Sequence, residues 1–441
     1  VNILLLDQTA CMVDFALRCR AEGHYPRVVM GKDQKTKRRT RIGDGLIEKI
    51  ENEDWQKHMR WADIILVADN NRWLRELDAW RKKGYPVFAP TWESAQFELD
   101  RKTGQDVFEK AGLKIMPFEE FSDMRTAAKY VMAEGKRFVS KPSGDQGKEL
   151  SYVSQGPKDM LFMLDKWGKS NKVKGSFVLQ EFVPGTEIAV GGWMGKNGFS
   201  KWFYENFEFK KFMNDDKGPN TGEQGTLVRY TDDSQLAREC LLPCEGALLQ
   251  AGHQGFVDVA VIVDEDGNPR PLEFTARNPY PGFNIMQVVH PEPVGWMVEL
   301  MNGSDTFSPL TDTACGVVVT MPPWPSPPSE GVNQDEYDGI PIYGLDDANP
   351  LFQCFSPCEV MAGEGMNDEG EKEKCIVSAG CYLLVASGCG DTVQEAKDKA
   401  YEAVDSLMIP NSTQYRTDIG DRCKKDIKTL QEQGFCRDWK W

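Results

Sequence analysis

Histidine is scarce in this chain of 441 residues: His24, His58, His253 and His290 are all it has. A catalytic triad or metal cluster built on imidazole has little material, and each of the four reads as structural. Cysteine is plentiful, at twelve, but the spacing that makes it a ligand is missing. No C-x-x-C pair occurs, and the C-x3-C spacings Cys240/Cys244 and Cys354/Cys358 have no histidine nearby to complete a zinc set. Reduced, mostly buried thiols in a cytoplasmic protein are expected. No apolar run reaches the length of a membrane span, so no membrane partner is expected. The opening VNILLLDQ turns polar too soon, and lacks the basic leader, for a signal peptide; it reads as a buried strand. Positive charge is also in deficit. The net charge of −16 argues against general nucleic-acid binding. No G-x-G-x-x-G follows the first strand, which removes support for a dinucleotide fold.

What is present suffices for about three domains with large cores. Hydrophobic residues make 40% and charged residues 27%, the balance of a globular protein. Residues 257–277, VDVAVIVDEDGNPRPLEFTAR, read as two strands around an acidic turn centred on Gly267. Asp258 lies inside the first strand and Glu273 inside the second, and a carboxylate in a buried strand needs a neutralising partner. If the strands pair, both acids face one cleft with the Thr275 hydroxyl, an oxygen-rich set suited to a hard cation such as Mg²⁺. A surface hairpin with solvated acids is an equal reading of these residues alone.

Residues 1–90 alternate strand and helix: strands at 2–6, 27–30, within 61–68 and at 86–88, with helices from a Thr9 cap to about 22 and over 73–83. Units of this size predict a small parallel α/β sheet with its ligand at the carboxyl ends of the strands. Residues 32–41, KDQKTKRRTR, hold six basic residues and one acid. They read as a solvated loop or as a grip on an anionic substrate. A charged helix is expected over 93–112. A second α/β pattern follows, with strands at 115–118, 138–141, 150–153 and 176–182. Its loop 141–149, KPSGDQGKE, resembles a phosphate loop but is no Walker A, having Pro142 and Glu149 where that motif needs glycine and a hydroxyl. Its backbone N–H groups and Lys148 can still fold over phosphates, and Lys141 ends the preceding strand. Residues 178–190, VLQEFVPGTEIAV, form a strand end followed by the carboxylate of Glu187, a pattern that can read an adenine edge and a ribose diol. Residues 191–310 are expected to be antiparallel sheet with helices, and 311–441 a last mixed unit with an exposed charged loop at 364–374 and an amphipathic helix at 392–408.

Taken together, Lys102, Lys141, the glycine-containing loop, LQEFVPGTE and LEFTAR resemble, in that order, an ATP-grasp ligase. Within that superfamily the chain resembles the glycinamide ribonucleotide synthetases (phosphoribosylamine–glycine ligases) over nearly its whole length. APTWESAQFELDRK is similar to the family's Gly-Pro-Thr…Ala…Leu-Glu…Ser-Lys segment, and DKGPNTGEQG to its Asp-Thr-Gly-Pro-Asn-Thr-Gly-Gly-Met-Gly loop. LEFTARNPYPG is similar to Glu-Phe-Asn-x-Arg-Phe-Gly-Asp-Pro-Glu. ACGVVVTM, GDTVQEAKDKAYEAV and YRTDIG match the family's C-terminal part. The implied fold is α/β and α+β multidomain: a small parallel α/β substrate domain (1–90), an ATP-grasp domain (91–310) with a mobile lid at about 115–185, and a mixed α+β C-terminal domain (311–441).

The resemblance implies ATP and Mg²⁺, or Mn²⁺, as cofactors. Lys102 and Lys141 would contact phosphates, with Gly144, Gly147 and Lys148 in the mobile loop over them. Gln180, Glu181, Phe182 and Val183 would bind adenine and Glu187 the ribose. Asp258, Glu273 and Thr275 would hold metal, Thr275 replacing the usual asparagine. Arg277, with Lys148, would serve catalysis by stabilising the acyl phosphate and tetrahedral intermediate. Lys210, Asn220, Thr221, Arg277 and Asn278 would meet substrate. The partners would be a small amine and a carboxylate, glycine or another amino acid, on a monomer or dimer. The segments that depart from the family are DQTACMVDFA at 7–16, residues 69–71, GEQG at 222–225 and PYPG at 279–282, mainly those facing the amine. Phosphoribosylamine–glycine ligation is therefore expected, with two rivals: joining an amino acid to a different, nucleotide-like amine held by residues 32–41, or nucleotide binding without catalysis.

Overall fold

In a computed structural model the residues described are 1–31, 40–142, 151–170, 175–326, 336–410 and 413–441. The basic stretch expected at 32–41 falls almost wholly outside them, as do Gly144, Gly147 and Lys148. The N-terminal unit is a five-stranded parallel sheet in the order Lys49–Ile50, Tyr25–Met30, Asn2–Asp7, Ile64–Val67, Val87–Phe88. The two-residue strand Lys49–Ile50 is too short to show a pattern in sequence. The first helix, Val13–Ala21, starts later than the expected Thr9 cap. It is Asp7, fully buried at the end of its strand, that accepts from Thr9 N (3.1 Å) and Met12 N (2.8 Å).

The expected long helix over 93–112 is two, Trp92–Leu99 and Arg101–Lys110. Asp100 breaks it by leaving the helical region (φ −114°, ψ 102°) and capping the second helix through Thr103 N at 2.9 Å. That break puts Arg101 and Lys102 in the first helical turn.

The lid is a four-stranded antiparallel sheet, Phe118–Phe121, Phe177–Glu181, Phe138–Pro142, Tyr152–Val153, with helices Met124–Glu134 and Pro157–Ser170 packed on it. Its first strand begins where that expected at 115–118 ends.

The largest element is an eight-stranded antiparallel sheet: Pro269–Thr275, Gly255–Asp264, Gly185–Gly195, Gly198–Glu208, Gly225–Thr231, Thr313–Thr320, Tyr382–Gly390, Phe355–Pro357. It runs without interruption across position 310, where a domain boundary was expected, because Thr313–Thr320 pairs with both Gly225–Thr231 and Tyr382–Gly390. The stretch expected as a loop at 364–374 belongs to a hairpin, Val360–Met366 with Lys372–Ser378. Its alternating charges face solvent, which hides a strand in sequence. Among the described residues, no helix is long and apolar enough to cross a membrane.

The two folding units are bolted together by polar groups. Asp14, on the first helix, accepts from Asn284 Nδ2 (2.7 Å) and Gln287 Nε2 (2.5 Å), and Arg18 donates to the carbonyls of Gln287 and His290. Asp14 is 5% exposed, and burial pushes its carboxyl up to about 6. A carboxyl whose pKa is raised by folding binds its proton more tightly in the native state, so its contribution to stability falls as pH rises from about 4 to about 6. Replacing Asp14 with Asn removes that penalty. The stability of Asp14→Asn relative to the parent is therefore expected to rise through this window, by up to about 3 kcal/mol at pH 7. Urea unfolding at pH 4.5 and 7 checks it; a difference that does not grow with pH contradicts the assignment.

Candidate functional site

The second and first strands of the large sheet, Gly255–Asp264 and Pro269–Thr275, form the hairpin expected around Gly267, which takes φ +81°. Alternation decides what each face carries. Val257, Val259, Val261 and Val263 enter the main core, while Asp258, Ala260 and Ile262 point the other way. In the register Asp258 lies opposite Thr275 and Gly191, and Ala260 opposite Glu273 and Ala189. The acids therefore share a face, carpeted by small residues. At Gly191 a Cβ would sit 2.6 Å from that of Asp258.

Over this face lies a cleft lined by Arg101, Gln105, Phe118, Lys141, Val178, Gln180 and Leu272, with walls from the lid sheet, the helix Arg101–Lys110 and the strand Pro269–Thr275. Glu273 is its pivot. Burial alone would raise its pKa, but Arg101, at 2.5 Å from Nη1 to Oε2, and then Lys141 and Lys210, hold it well below the usual carboxylate range. Burial lowers Lys141, with Glu273 opposing. Lys210 Nζ bridges Glu187 Oε1 (3.0 Å) and Glu208 Oε2 (2.9 Å); these two and Glu273 overcome burial to push it well above its ordinary value. Lys210 in turn holds Glu187 down. Arg101, Lys141 and Lys210 thus stand against Glu273, Glu187 and Glu208, a balanced lattice of alternating charge.

Not every expected residue joins it. Lys102 points to solvent, 68% exposed and paired with Asp106 at 3.3 Å; the neighbouring Arg101 takes the place beside Glu273. Gln180 is 4% exposed and lines the cleft. Glu181 pairs with Lys136 (3.1 Å), Phe182 lies under the Arg137 guanidinium (3.4 Å to the ring centre), and Val183 packs with Met116 and Leu272. The N–H groups of Glu181 and Phe182 donate to Pro117 O and Arg137 O, so these two are not available to a base edge. Asp258 is 2% exposed and lies opposite Thr275 in the strand register, and burial drives its carboxyl well above the usual range. Among the described residues, no three His, Cys, Asp or Glu side chains gather as a metal site. The donors fit one divalent ion shared between Glu273 and a nucleotide's phosphates, a mode that Mg²⁺ favours.

Arg277 continues the alternation two residues beyond Thr275, roughly 13 Å along the chain from Glu273 at about 3.3 Å per residue. Its Nε meets Glu98 Oε1 at 3.1 Å, and Glu98 Oε2 accepts from Ala276 N (2.7 Å) and Asn70 Nδ2 (2.6 Å). Glu98 chiefly raises the Arg277 pKa against the cost of burial. It also ties Arg277 to the carboxyl ends of the N-terminal strands, where Asp7 and Asp69 sit with their carboxyls raised by burial. Asn278 offers its carbonyl to Arg277 Nη1 at 3.4 Å. Asn220 and Thr221 are placed for support. Asn220 Nδ2 reaches Ser151 O of the lid at 3.4 Å, and Thr221 Oγ1 donates to Lys210 O at 2.9 Å.

Sequence reading missed Arg101, Glu98, Glu208 and Arg416. For Arg101 the visible signal was a second basic residue directly beside Lys102. Arg416 explains YRTDIG. Its 1%-exposed side chain donates to Asp418 Oδ1 and Oδ2 (both 2.8 Å), Asp216 Oδ1 (2.8 Å) and Lys211 O (3.0 Å). It pins the turn between Lys211–Met213 and Lys217–Asn220, where Asp215 and Asp216 adopt left-handed φ of 57° and 51°. Lys210 is the residue just before the strand Lys211–Met213 that leads into that turn.

The overall fold is shared with solved proteins. No family model matches the chain. The biotin carboxylase domain of the 2-oxoglutarate carboxylase of Hydrogenobacter thermophilus, solved with MgADP, superposes with a TM-score of 0.58 at 11% identity, covering 98% of this chain and 93% of that one. The phosphoribosylamine–glycine ligase of Thermotoga maritima superposes with a TM-score of 0.72 at 20% identity, over 95% of this chain and 100% of that one. In sequence, the phosphoribosylamine–glycine ligase of Neisseria meningitidis serogroup A is 26% identical over 360 residues, 78% of this chain and 81% of the relative. The chain belongs to the ATP-grasp superfamily. Within it, the chain is related to the phosphoribosylamine–glycine ligases.

Removing the Arg416 side chain leaves the half-buried Asp418 carboxylate and the Lys211 carbonyl without their charged donor. Arg416→Met is expected to cost about 2–4 kcal/mol in urea unfolding, and a loss under about 0.5 kcal/mol contradicts the clamp.

Proposed function

We propose that the protein is an ATP-dependent carboxylate–amine ligase, phosphoribosylamine–glycine ligase-like, that works through an acyl phosphate and releases ADP and phosphate. The observation that carries this reading is Glu273 ringed by Arg101, Lys141 and Lys210 in a cleft roofed by the lid strands. That arrangement concentrates cations where a triphosphate would lie and keeps one carboxylate ionised to share a metal ion.

The chemistry follows from charge. A carboxylate resists attack by an amine because an oxide anion is a poor leaving group. Phosphorylation by the γ-phosphoryl group makes an acyl phosphate; the amine nitrogen then attacks the carbonyl carbon, the C–O bond to phosphate breaks, and the nitrogen gives up a proton. Bringing a carboxylate to a triphosphate joins anions, and Lys141 and Arg101 offset that repulsion from opposite walls of the cleft. Mg²⁺ or Mn²⁺, when bound at Glu273, supplies Lewis acidity to the phosphoryl oxygens. Gln180 lines the same cleft from the lid, and Glu187, on the strand Gly185–Gly195 of the large sheet, would meet a ribose. Arg277, fixed by Glu98, stands at the other end of the face, between Asp258 and the N-terminal strand ends, where it can neutralise charge on the acyl group. The lid sheet shuts water from an intermediate that it would hydrolyse.

A second reading keeps this chemistry and changes the amine. Asp7 and Asp69 at the strand ends favour it, since carboxyls near the acceptor repel a phosphate group. Phosphate release measured with ATP, Mg²⁺ and glycine across amines with and without a phosphate separates the two. Turnover with phosphoribosylamine alone supports the first, turnover with unphosphorylated amines the second, and no nucleotide binding by calorimetry refutes both.

The two ends of the face also predict different defects. Lys141→Met should weaken ATP binding about 10- to 100-fold. Arg277→Ala should leave ATP affinity within about twofold and lower turnover about 100-fold or more. Equal effects on both quantities would contradict the division.

A further inference from the structure

We propose that Tyr280, Trp324, Tyr382 and Glu359 form the pocket for the body of the acceptor amine, and that this body is a planar nitrogen heterocycle without a phosphate group. The inference rests on the ligase reading above and gives its second form a substrate class.

Three aromatic rings gather where the C-terminal part of the chain meets the N-terminal unit. Tyr382 lies 5.3 Å from Tyr280 and 5.2 Å from Trp324, centre to centre. Tyr280 follows Arg277 by three residues, so no more than about 11 Å of chain separates them. Tyr280 and Trp324 are partly buried, and Tyr382 is 5% exposed. The Tyr382 hydroxyl and the Trp324 indole N–H are buried without a hydrogen-bond partner among the described residues. Unpaired buried donors are costly, and a ligand with acceptor atoms removes that cost where an apolar one does not.

Glu359 supplies the opposite kind of group. Its Oε2 accepts from Cys381 N at 2.7 Å and from Tyr382 N at 2.9 Å. A Cβ at Gly380 would overlap that oxygen, so the backbone there is cut to fit the carboxylate. Both bonds use Oε2, which leaves Oε1 for an N–H donor. The chain just beyond Glu359 is tied to the N-terminal unit by Gly43 N to Val360 O (2.7 Å) and Ala362 N to Asp44 O (2.8 Å). Burial raises the Cys11 thiol most, Asp7 and Glu359 add to it, and Arg277 opposes them. The aromatic pocket and the Arg277 end of the face thus open on one space.

Flat aromatic walls suit a flat ring, two donors meet its acceptor atoms, and a carboxylate meets its amino group. An aminopyrimidine or a similar ring presents all three. An alkyl diamine has no acceptor for the two donors, and a phosphate group meets charge of its own sign. Burial raises the Glu359 carboxyl, and the charge that acts on it is that of Asp338, a second acid, which already holds Arg41 at 3.2 Å.

The test measures binding of aminomethylcytosine, benzylamine and putrescine by calorimetry, with Mg²⁺ and a saturating non-hydrolysable ATP analogue on the protein. Aminomethylcytosine is expected to bind at least about tenfold tighter than the other two. Tyr382→Phe and Trp324→Phe should each weaken it about 5- to 10-fold, with the affinity for the analogue held within about twofold. Because the Tyr382 hydroxyl is unpaired in the free protein, Tyr382→Phe should not lower the midpoint of urea unfolding. Equal affinities for the three amines, tightest binding by putrescine, no binding of any of them, or unchanged affinity in both variants overturns the inference and leaves the ligase reading standing. Failure of the wild-type protein to bind the ATP analogue overturns the ligase reading itself. The wild-type preference among the amines is decided whether or not Trp324→Phe folds.

Discussion

A strand that is apolar on one side and charged on the other must lie between two unlike environments, and residues 255–275 impose that condition on everything around them. The valines at 257, 259, 261 and 263 bury into the main core at 1% exposure or less. With period-two alternation, the intervening positions have no choice but to face away from it. Ala189, Gly191 and Ala260 leave space above the sheet there, and the lid sheet roofs it. The cleft is thus the other face of a packed core. Its floor cannot shift without moving valines from a close-packed interior, which is the rigidity a site built on fixed charges requires.

Charge is the second constraint. Six ionised groups half-removed from water would be costly singly, because desolvation penalises each. They persist as an alternating lattice in which every cation has at least one carboxylate neighbour: Arg101 with Glu273, Lys141 between Glu273 and Glu187, Lys210 between Glu187 and Glu208. A neutral lattice holds itself together without ligand. It can also open to an anion, since a triphosphate exchanges one set of negative partners for another. The long side chains that make the lattice are free to swing; the backbone that carries them is not.

How much of this the sequence revealed follows from the physics of each element. The valine alternation and the Gly267 turn are local patterns, and the hairpin was legible as two strands and a turn; its register, with an irregularity between Ala260 and Val261, was not. The parallel N-terminal sheet was legible for the same reason, except for the two-residue strand Lys49–Ile50, which has no pattern to read. Tertiary facts were not legible. Nothing in residues 311–321 says that Thr313–Thr320 would pair with Gly225–Thr231 and carry the large sheet past an expected boundary. Nor could spacing tell Arg101 from Lys102: they are adjacent and both basic, and only the roughly 100° turn between successive helical residues points one toward Glu273 and the other toward Asp106.

The two ends of the face are held by different parts of the chain. The Glu273 end is braced from the C-terminal part, by Arg416 and Asp418 pinning the turn that follows Lys211–Met213 and by Arg422 donating to Glu208 O at 2.7 Å. The Arg277 end is braced from the N-terminal part, by Glu98 tying Arg277 to Asn70 and by Asp14 holding the helix that follows the PYPG turn. Few of these contacts are shared. Substitutions at 7–16, 69–71 and 279–282 can therefore reshape the Arg277 end while the lattice around Glu273 keeps its geometry. The YRTDIG segment, distant in sequence, braces the Glu273 end alone, so its geometry is constrained by that lattice and not by the Arg277 end.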